Sequence, residues 1–182
     1  MYKRQAFRDC TALETAEVNV GNLNGTVSSS GTAGNGWFKG CTSLKTVTFA
    51  DGLLRLENYL FEGCTSLTTI KLPATLQRLS AGYGAFKNCT SLVSLTIPAG
   101  VTAIENNEFV GCASLKEIIF EGSVTKIGNA SFDGCAALDT IDLSQVNSVG
   151  NNAFRGCAAL EYVNLPPVSY THLRAHETLA NL

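Results

Sequence analysis

The stretch Phe86-Lys87-Asn88-Cys89-Thr90-Ser91-Leu92-Val93-Ser94-Leu95-Thr96-Ile97-Pro98 recurs along the chain, and its recurrence decides the fold. Seven cysteines, Cys10, Cys41, Cys64, Cys89, Cys112, Cys135 and Cys157, stand 31, 23, 25, 23, 23 and 22 residues apart. Three positions before each is a phenylalanine: Phe7, Phe38, Phe61, Phe86, Phe109, Phe132 and Phe154. Three positions after each is a leucine: Leu13, Leu44, Leu67, Leu92, Leu115, Leu138 and Leu160. A unit this short cannot bury its apolar side alone, so each unit must serve as the lid of its neighbour.

Past the leucine the pattern alternates. Val47 and Phe49, Ile70 and Leu72, Leu95 and Ile97, Ile118 and Phe120, Ile141 and Leu143, and Val163 and Leu165 are pairs separated by one residue. Alternation with period two predicts a short strand with those pairs facing inward. A turn follows, often opened by proline (Pro73, Pro98, Pro166), and then two further apolar anchors such as Val101 and Ile104 or Val124 and Ile127. The residue before each cysteine is Asp9, Gly40, Gly63, Asn88, Gly111, Gly134 or Gly156, all types that tolerate a left-handed backbone. This predicts a short helical turn through the phenylalanine that stops there, with Asn106, Asn129 and Asn152 as caps at its start. The two residues after each cysteine are always Ala, Ser or Thr, which lets neighbouring units approach closely. The expected architecture is a right-handed parallel solenoid with one strand and one helical turn per unit of roughly 23 residues. Its seven strands, about 4.8 Å apart, would form one narrow sheet roughly 30 Å long.

The motif from Phe86 to Pro98, repeated from Phe109 to Phe120, resembles the BspA-like class of leucine-rich repeats. The resemblance covers residues 6 to 167. Many leucine-rich repeats carry Asn or Cys eight residues after the first leucine. Gly52, Thr75, Gly100, Ser123 and Val146 stand there instead, so no asparagine ladder is expected along that turn. The resemblance implies a leucine-rich-repeat solenoid from a bacterial cell-surface or secreted protein that binds host proteins or other cells. The partner it implies is a protein ligand of unstated identity.

Residues 1–5 and 168–182 match no part of the repeat and resemble translated adapter sequence. The expected division is therefore a non-repeat start (1–5), an array of about seven units (6–167) and a non-native tail (168–182). The first unit is 31 residues long because it holds a Gly-, Ser- and Asn-rich insertion between Gly21 and Gly36. That segment reads as a flexible surface loop or as a binding loop.

Composition narrows the chemistry. The chain is 45% hydrophobic and 15% charged, with a formal net charge of −2. Lys and Arg do not cluster beyond Lys3-Arg4, so no nucleic-acid surface is expected. No apolar run reaches the roughly 18 residues a membrane span needs, and Met1 to Gln5 does not open a signal peptide. An odd number of cysteines and no Cys-x-x-Cys pair argue against disulfides and zinc; small buried hydrophobes are expected. His172 and His176, followed by Glu177, have helical ligand spacing but lack the glutamate that zinc proteases place after the first histidine. Glu117, Glu121, Asp139, Asp142 and Glu161 crowd the later units without a histidine or a phosphate loop beside them. No catalytic residue, cofactor or metal site is expected, and the chain is read as non-enzymatic.

If the strand anchors face inward, the residues between them face out. They are Thr46 and Thr48, Thr69 and Lys71, Ser94 and Thr96, Glu117 and Ile119, Thr140 and Asp142, and Tyr162 and Asn164. These two rows are the candidate partner-binding face, with Ile119, Asp142 and Tyr162 as its most contact-like members. A protein-binding scaffold is the leading reading. A structural spacer presenting another domain, or the non-catalytic part of a larger enzyme, are the alternatives.

Overall fold

The period-two segments are extended and stack in parallel in the computed structural model, which describes residues 6–19 and 36–166. The chain winds as a parallel-strand solenoid, and each winding is called here a coil and named by its cysteine. Strands β1 (Thr15–Val18) and β2 (Thr46–Phe49) pair with Ala16 opposite Val47 and Val18 opposite Phe49. Strand β3 (Ser94–Ile97), the short β4 (Ala103–Ile104) and β5 (Glu117–Phe120) come next in the chain. In the β3–β5 pair Leu95 lies opposite Ile118 and Ile97 opposite Phe120. They are followed by β6 (Lys126–Ile127), β7 (Thr140–Asp142), β8 (Ser148–Val149) and β9 (Tyr162–Asn164). β7 pairs with β9. A second row, β4-β6-β8, runs on another side of the solenoid through Ile104, Ile127 and Val149. Sequence periodicity marked its anchors but not its strands.

The core is continuous. Leu44, Leu67, Leu92, Leu115 and Leu138 are wholly buried, as are Val101 and Ile104. Of the paired strand anchors, Val47, Ile70, Leu72, Leu95, Ile97, Ile118, Ile141 and Leu143 are buried. Phe49, Phe120 and Val163 are half-buried. Leu165 is 47% exposed, contrary to expectation, because it lies in the last described coil and no later described coil covers it.

The single seven-stranded sheet does not form. The main row breaks into the pairs β1–β2, β3–β5 and β7–β9, and residues 67–73 between β2 and β3 hold no strand. Proline supplies a physical reason. Beyond β2, the amide of Ala50 donates to Val18; beyond β5, that of Glu121 donates to Ile97. Pro73 and Pro98 occupy the equivalent positions and have no N–H, so the closing rung is lost on both sides of this segment.

The expected helical turn is also absent, and the described residues contain no helix. The left-handed stop is present: Asp9, Gly40, Gly63, Asn88, Gly111, Gly134 and Gly156 all have φ between 57° and 76°. A second left-handed residue precedes the phenylalanine in several coils, at Tyr59, Asn107, Ala130 and Asn152. Asn107 and Gly111 leave three residues between them, too few to close a helical turn. The amides go elsewhere. Those of Asn107, Phe109 and Gly111 donate to the carbonyls of Asn129, Ser131 and Asp133 in the next coil. The same alternation recurs from Tyr59, Phe61 and Gly63 to Tyr83, Ala85 and Lys87. Two of the three asparagines expected as caps, Asn106 and Asn129, act between coils, while Asn152 takes the left-handed position instead. Asn106 Oδ1 accepts from the amide of Asn129, and Asn129 Oδ1 from that of Asn151, both at 2.8 Å. An asparagine ladder therefore exists, at a different position from the one in which its absence was expected.

Candidate functional site

The strand face is built by the alternation that buries the core. Eleven of its twelve residues are exposed: Thr46, Thr48, Thr69, Lys71, Thr96, Glu117, Ile119, Thr140, Asp142, Tyr162 and Asn164. Ser94 is half-buried. Registers place Ser94 beside Glu117 and Thr96 beside Ile119. They also place Thr140 beside Tyr162 and Asp142 beside Asn164. Ile119 is 45% exposed and Tyr162 62%.

Asp142 is engaged within the array. Its Oδ1 accepts from the Ser144 amide at 2.9 Å and from Asn164 Nδ2 at 3.0 Å. The Ser144 amide, with smaller help from Asn164, holds this carboxyl below its ordinary range. Tyr162 stands at the rim of a cavity of about 480 Å³ whose walls include Leu143, Val149, Phe154, Cys157 and Leu160. This is the apolar end of the last described coil. The contact-like character of Tyr162 thus comes in part from the end of the described array. Ile119 lies within it, flanked by coils on both sides.

Behind the face lie two columns. Seven phenylalanine rings stack from Phe7 to Phe154 with centroids 5.2–5.8 Å apart, nearly parallel. Beside them, each cysteine from Cys41 to Cys157 donates its thiol to the carbonyl of the phenylalanine one coil earlier, at 3.0–3.2 Å. Burial raises the Cys64 and Cys112 thiols to about 12 and Cys157 to about 11, and pushes Cys89 and Cys135 well above their ordinary value. All seven cysteines are free thiols. The internal thiols, raised by burial, are neither nucleophiles nor ready metal ligands.

Among the described residues, no group of three His, Cys, Asp or Glu side chains is placed to hold a metal ion. No helix of the described chain is long and apolar enough to cross a membrane. Residues 1–5, the histidine pair and the insertion from Gly21 as far as residue 35 lie outside the described residues, as does the tail 168–182. The sequence pattern did not single out three exposed apolar side chains, Leu54, Tyr83 and Val93. Nor did it mark the buried Glu108 and Ser80 as partners.

Six copies of the BspA-type leucine-rich repeat match the chain over residues 27–83 and 80–176. The chain belongs to this family. Solved leucine-rich repeat proteins are its structural neighbours. A leucine-rich repeat protein of T. pallidum shares 26% identity with a TM-score of 0.52, over 74% of this chain and 69% of the other. A leucine-rich cell surface protein of Faecalibacterium prausnitzii is similar at 22% identity and TM-score 0.66, over 91% of this chain and 44% of the other. A leucine-rich repeat protein of Eubacterium ventriosum is similar at 18% and 0.57, over 84% and 49%. This chain thus spans less than half the length of the latter two. No curated protein sequence matches it.

Proposed function

We propose that this chain is a non-catalytic, protein-binding scaffold of a cell-surface or secreted protein. Its contact region is the strand face around Ile119, Asp142 and Tyr162. The observation that carries the reading is Ile119, a large apolar side chain 45% exposed inside a row otherwise made of the polar Thr48, Lys71, Thr96, Asp142 and Asn164. Exposed apolar and aromatic side chains rimmed by polar ones favour protein contacts over solvent. Membership of the BspA-type family and likeness to a protein described as a cell surface protein support the location.

The test is a triple variant, Ile119→Ser, Asp142→Asn and Tyr162→Ser, measured for binding to extracellular-matrix proteins and to whole cells. Binding lost while the melting transition persists supports the face. Unchanged binding by a folded triple variant rejects it and turns attention to the segment Gly21–Gly36. A wild-type chain that binds none of these partners rejects adhesion and favours a structural spacer.

A further inference from the structure

The coil ending at Cys89 is two residues longer than its successor, and the extra length lies at one place. Leu79 and Phe86 are seven positions apart, whereas Ile104 and Phe109, and Ile127 and Phe132, are five apart. The surplus forms the turn 80–84, which carries the 39% exposed Tyr83. Gly82 (φ 101°) sits at its apex in open space, and Gly84 (φ 27°) packs so closely that a Cβ there would strike the Asn107 carbonyl.

The longer turn lacks a short-range hydrogen bond that occurs elsewhere in the array. In two other coils the amide before the phenylalanine donates three residues back, Leu60 to Glu57 and Ala153 to Gly150. The amide of Ala85 donates instead to Glu108 Oε1, one coil later, at 2.9 Å. Glu108 Oε2 meets Ser80 Oγ at 2.5 Å, and Ser80 Oγ accepts from the Gly82 amide at 3.2 Å. One carboxyl thus ties both ends of the turn. Glu108 is wholly buried, in a column where other coils carry Leu60, Ala85, Ser131 and Ala153.

We propose that the turn from Ser80 to Gly84 is a latch held shut by Glu108, and that it opens locally as this buried carboxyl ionises. An ionised carboxylate in an apolar interior needs water. The two glycines beside Ser80 are the hinge through which water reaches it. Burial raises the Glu108 carboxyl to about 7, with Glu105 adding repulsion, while Ser80 and the Ala85 amide favour ionisation. The charged groups around it are few. Glu105, on its own coil, pairs with Arg78 of the preceding coil at 2.9 Å. The preceding turn brings Ser80 and Tyr83, and the following coil carries uncharged Ser131 in the same column. The switch lies within the ordinary range of extracellular pH, and its moving part displays an aromatic side chain.

Amide hydrogen exchange on the full chain tests this. The amides of Ala85 and Gly82, corrected for intrinsic exchange, should open more readily than that of Phe109. Their protection should fall by roughly tenfold or more between pH 5.5 and 7.5, as linkage to one carboxyl requires. In Glu108→Gln, which keeps both hydrogen bonds but cannot ionise, that slope should vanish. Ser80→Ala, which keeps the carboxyl and removes a partner of its charged form, should move the transition to higher pH. Exchange of Ala85 and Gly82 only at the rate of Phe109, or an unchanged slope in Glu108→Gln, overturns the latch. Should Glu108→Gln fail to fold, an unmoved transition in Ser80→Ala overturns it as well.

Discussion

The thiol of Cys112 donates a hydrogen bond to the backbone carbonyl of Phe86, one coil earlier, at 3.0 Å. The same carbonyl accepts the amide of Cys89 at 3.1 Å, so the thiol uses its second lone pair. The position requires a side chain that is small, apolar enough for full burial and able to donate once. Cysteine meets all three conditions. The repeating cysteine is thus a rung between coils, adjacent to the ring stack.

Thiol reactivity follows from that placement. Only the thiolate reacts, and burial suppresses it. Mass-spectrometric mapping after brief treatment of native protein with a bulky alkylating reagent should find Cys10, which is exposed, modified first. Half-buried Cys157 should react slowly, and Cys41, Cys64, Cys89, Cys112 and Cys135 only on unfolding. Modification of the internal five at the rate of Cys10 would contradict the rung assignment.

Phe109 is wholly buried between Phe86 at 5.7 Å and Phe132 at 5.2 Å. Truncating it removes ring burial from its own coil and a stacking partner from two others. Phe109→Ala should cost about 3–5 kcal/mol in denaturant unfolding, and Phe109→Leu distinctly less. Equal costs for the two would mean that the stack contributes only volume.

Gly134 tests the backbone separately from packing. Its φ is 76°, yet the nearest atoms to an added Cβ are Gly111 Cα and N at 3.7 Å, an ordinary contact. Gly134→Ala should therefore cost about 1–2 kcal/mol from the left-handed conformation alone. Gly134→Asn should cost less, because Asn88 already adopts a φ of 59° at the equivalent position. A smaller loss for Ala than for Asn would show that space decides this site.

Spacing alone revealed much of this molecule. The Phe, Cys and Leu positions fixed the period, and alternation fixed which face Leu95 and Ile97 turn inward and Thr96 outward. Side-chain type also identified the left-handed residue before each cysteine. Hydrogen-bond destinations were not legible. A helical turn and the observed turn bury the same Phe109, and they differ only in whether the amides of Asn107, Phe109 and Gly111 bond within the coil or to the next. Side-chain pattern carries no record of that choice. The second strand row escaped notice because its members are two residues long. The Glu108 latch did leave a signal: a 25-residue spacing followed by a carboxylate where other coils place small or apolar residues.

That carboxylate should also mark the stability of the whole chain. Glu108 ionises near the ordinary carboxylate value of 4.5 when unfolded, and burial raises it to about 7 in the fold. A carboxyl raised on folding contributes stability fully below the unfolded value and loses it as pH rises toward the folded one. The window is therefore about pH 4.5 to 7, and stability should fall across it. At 1.36 kcal/mol per unit over about 2.5 units, the contribution is of the order of 3 kcal/mol. The measurement is the difference in urea midpoint between wild type and Glu108→Gln at several pH values. Gln replaces the carboxyl without charge and can both accept from Ala85 and donate to Ser80. The variant should match the wild type near pH 4.5 and exceed it increasingly up to pH 7, with a constant difference above. A difference that does not change with pH would place the Glu108 carboxyl at its ordinary ionisation in the fold.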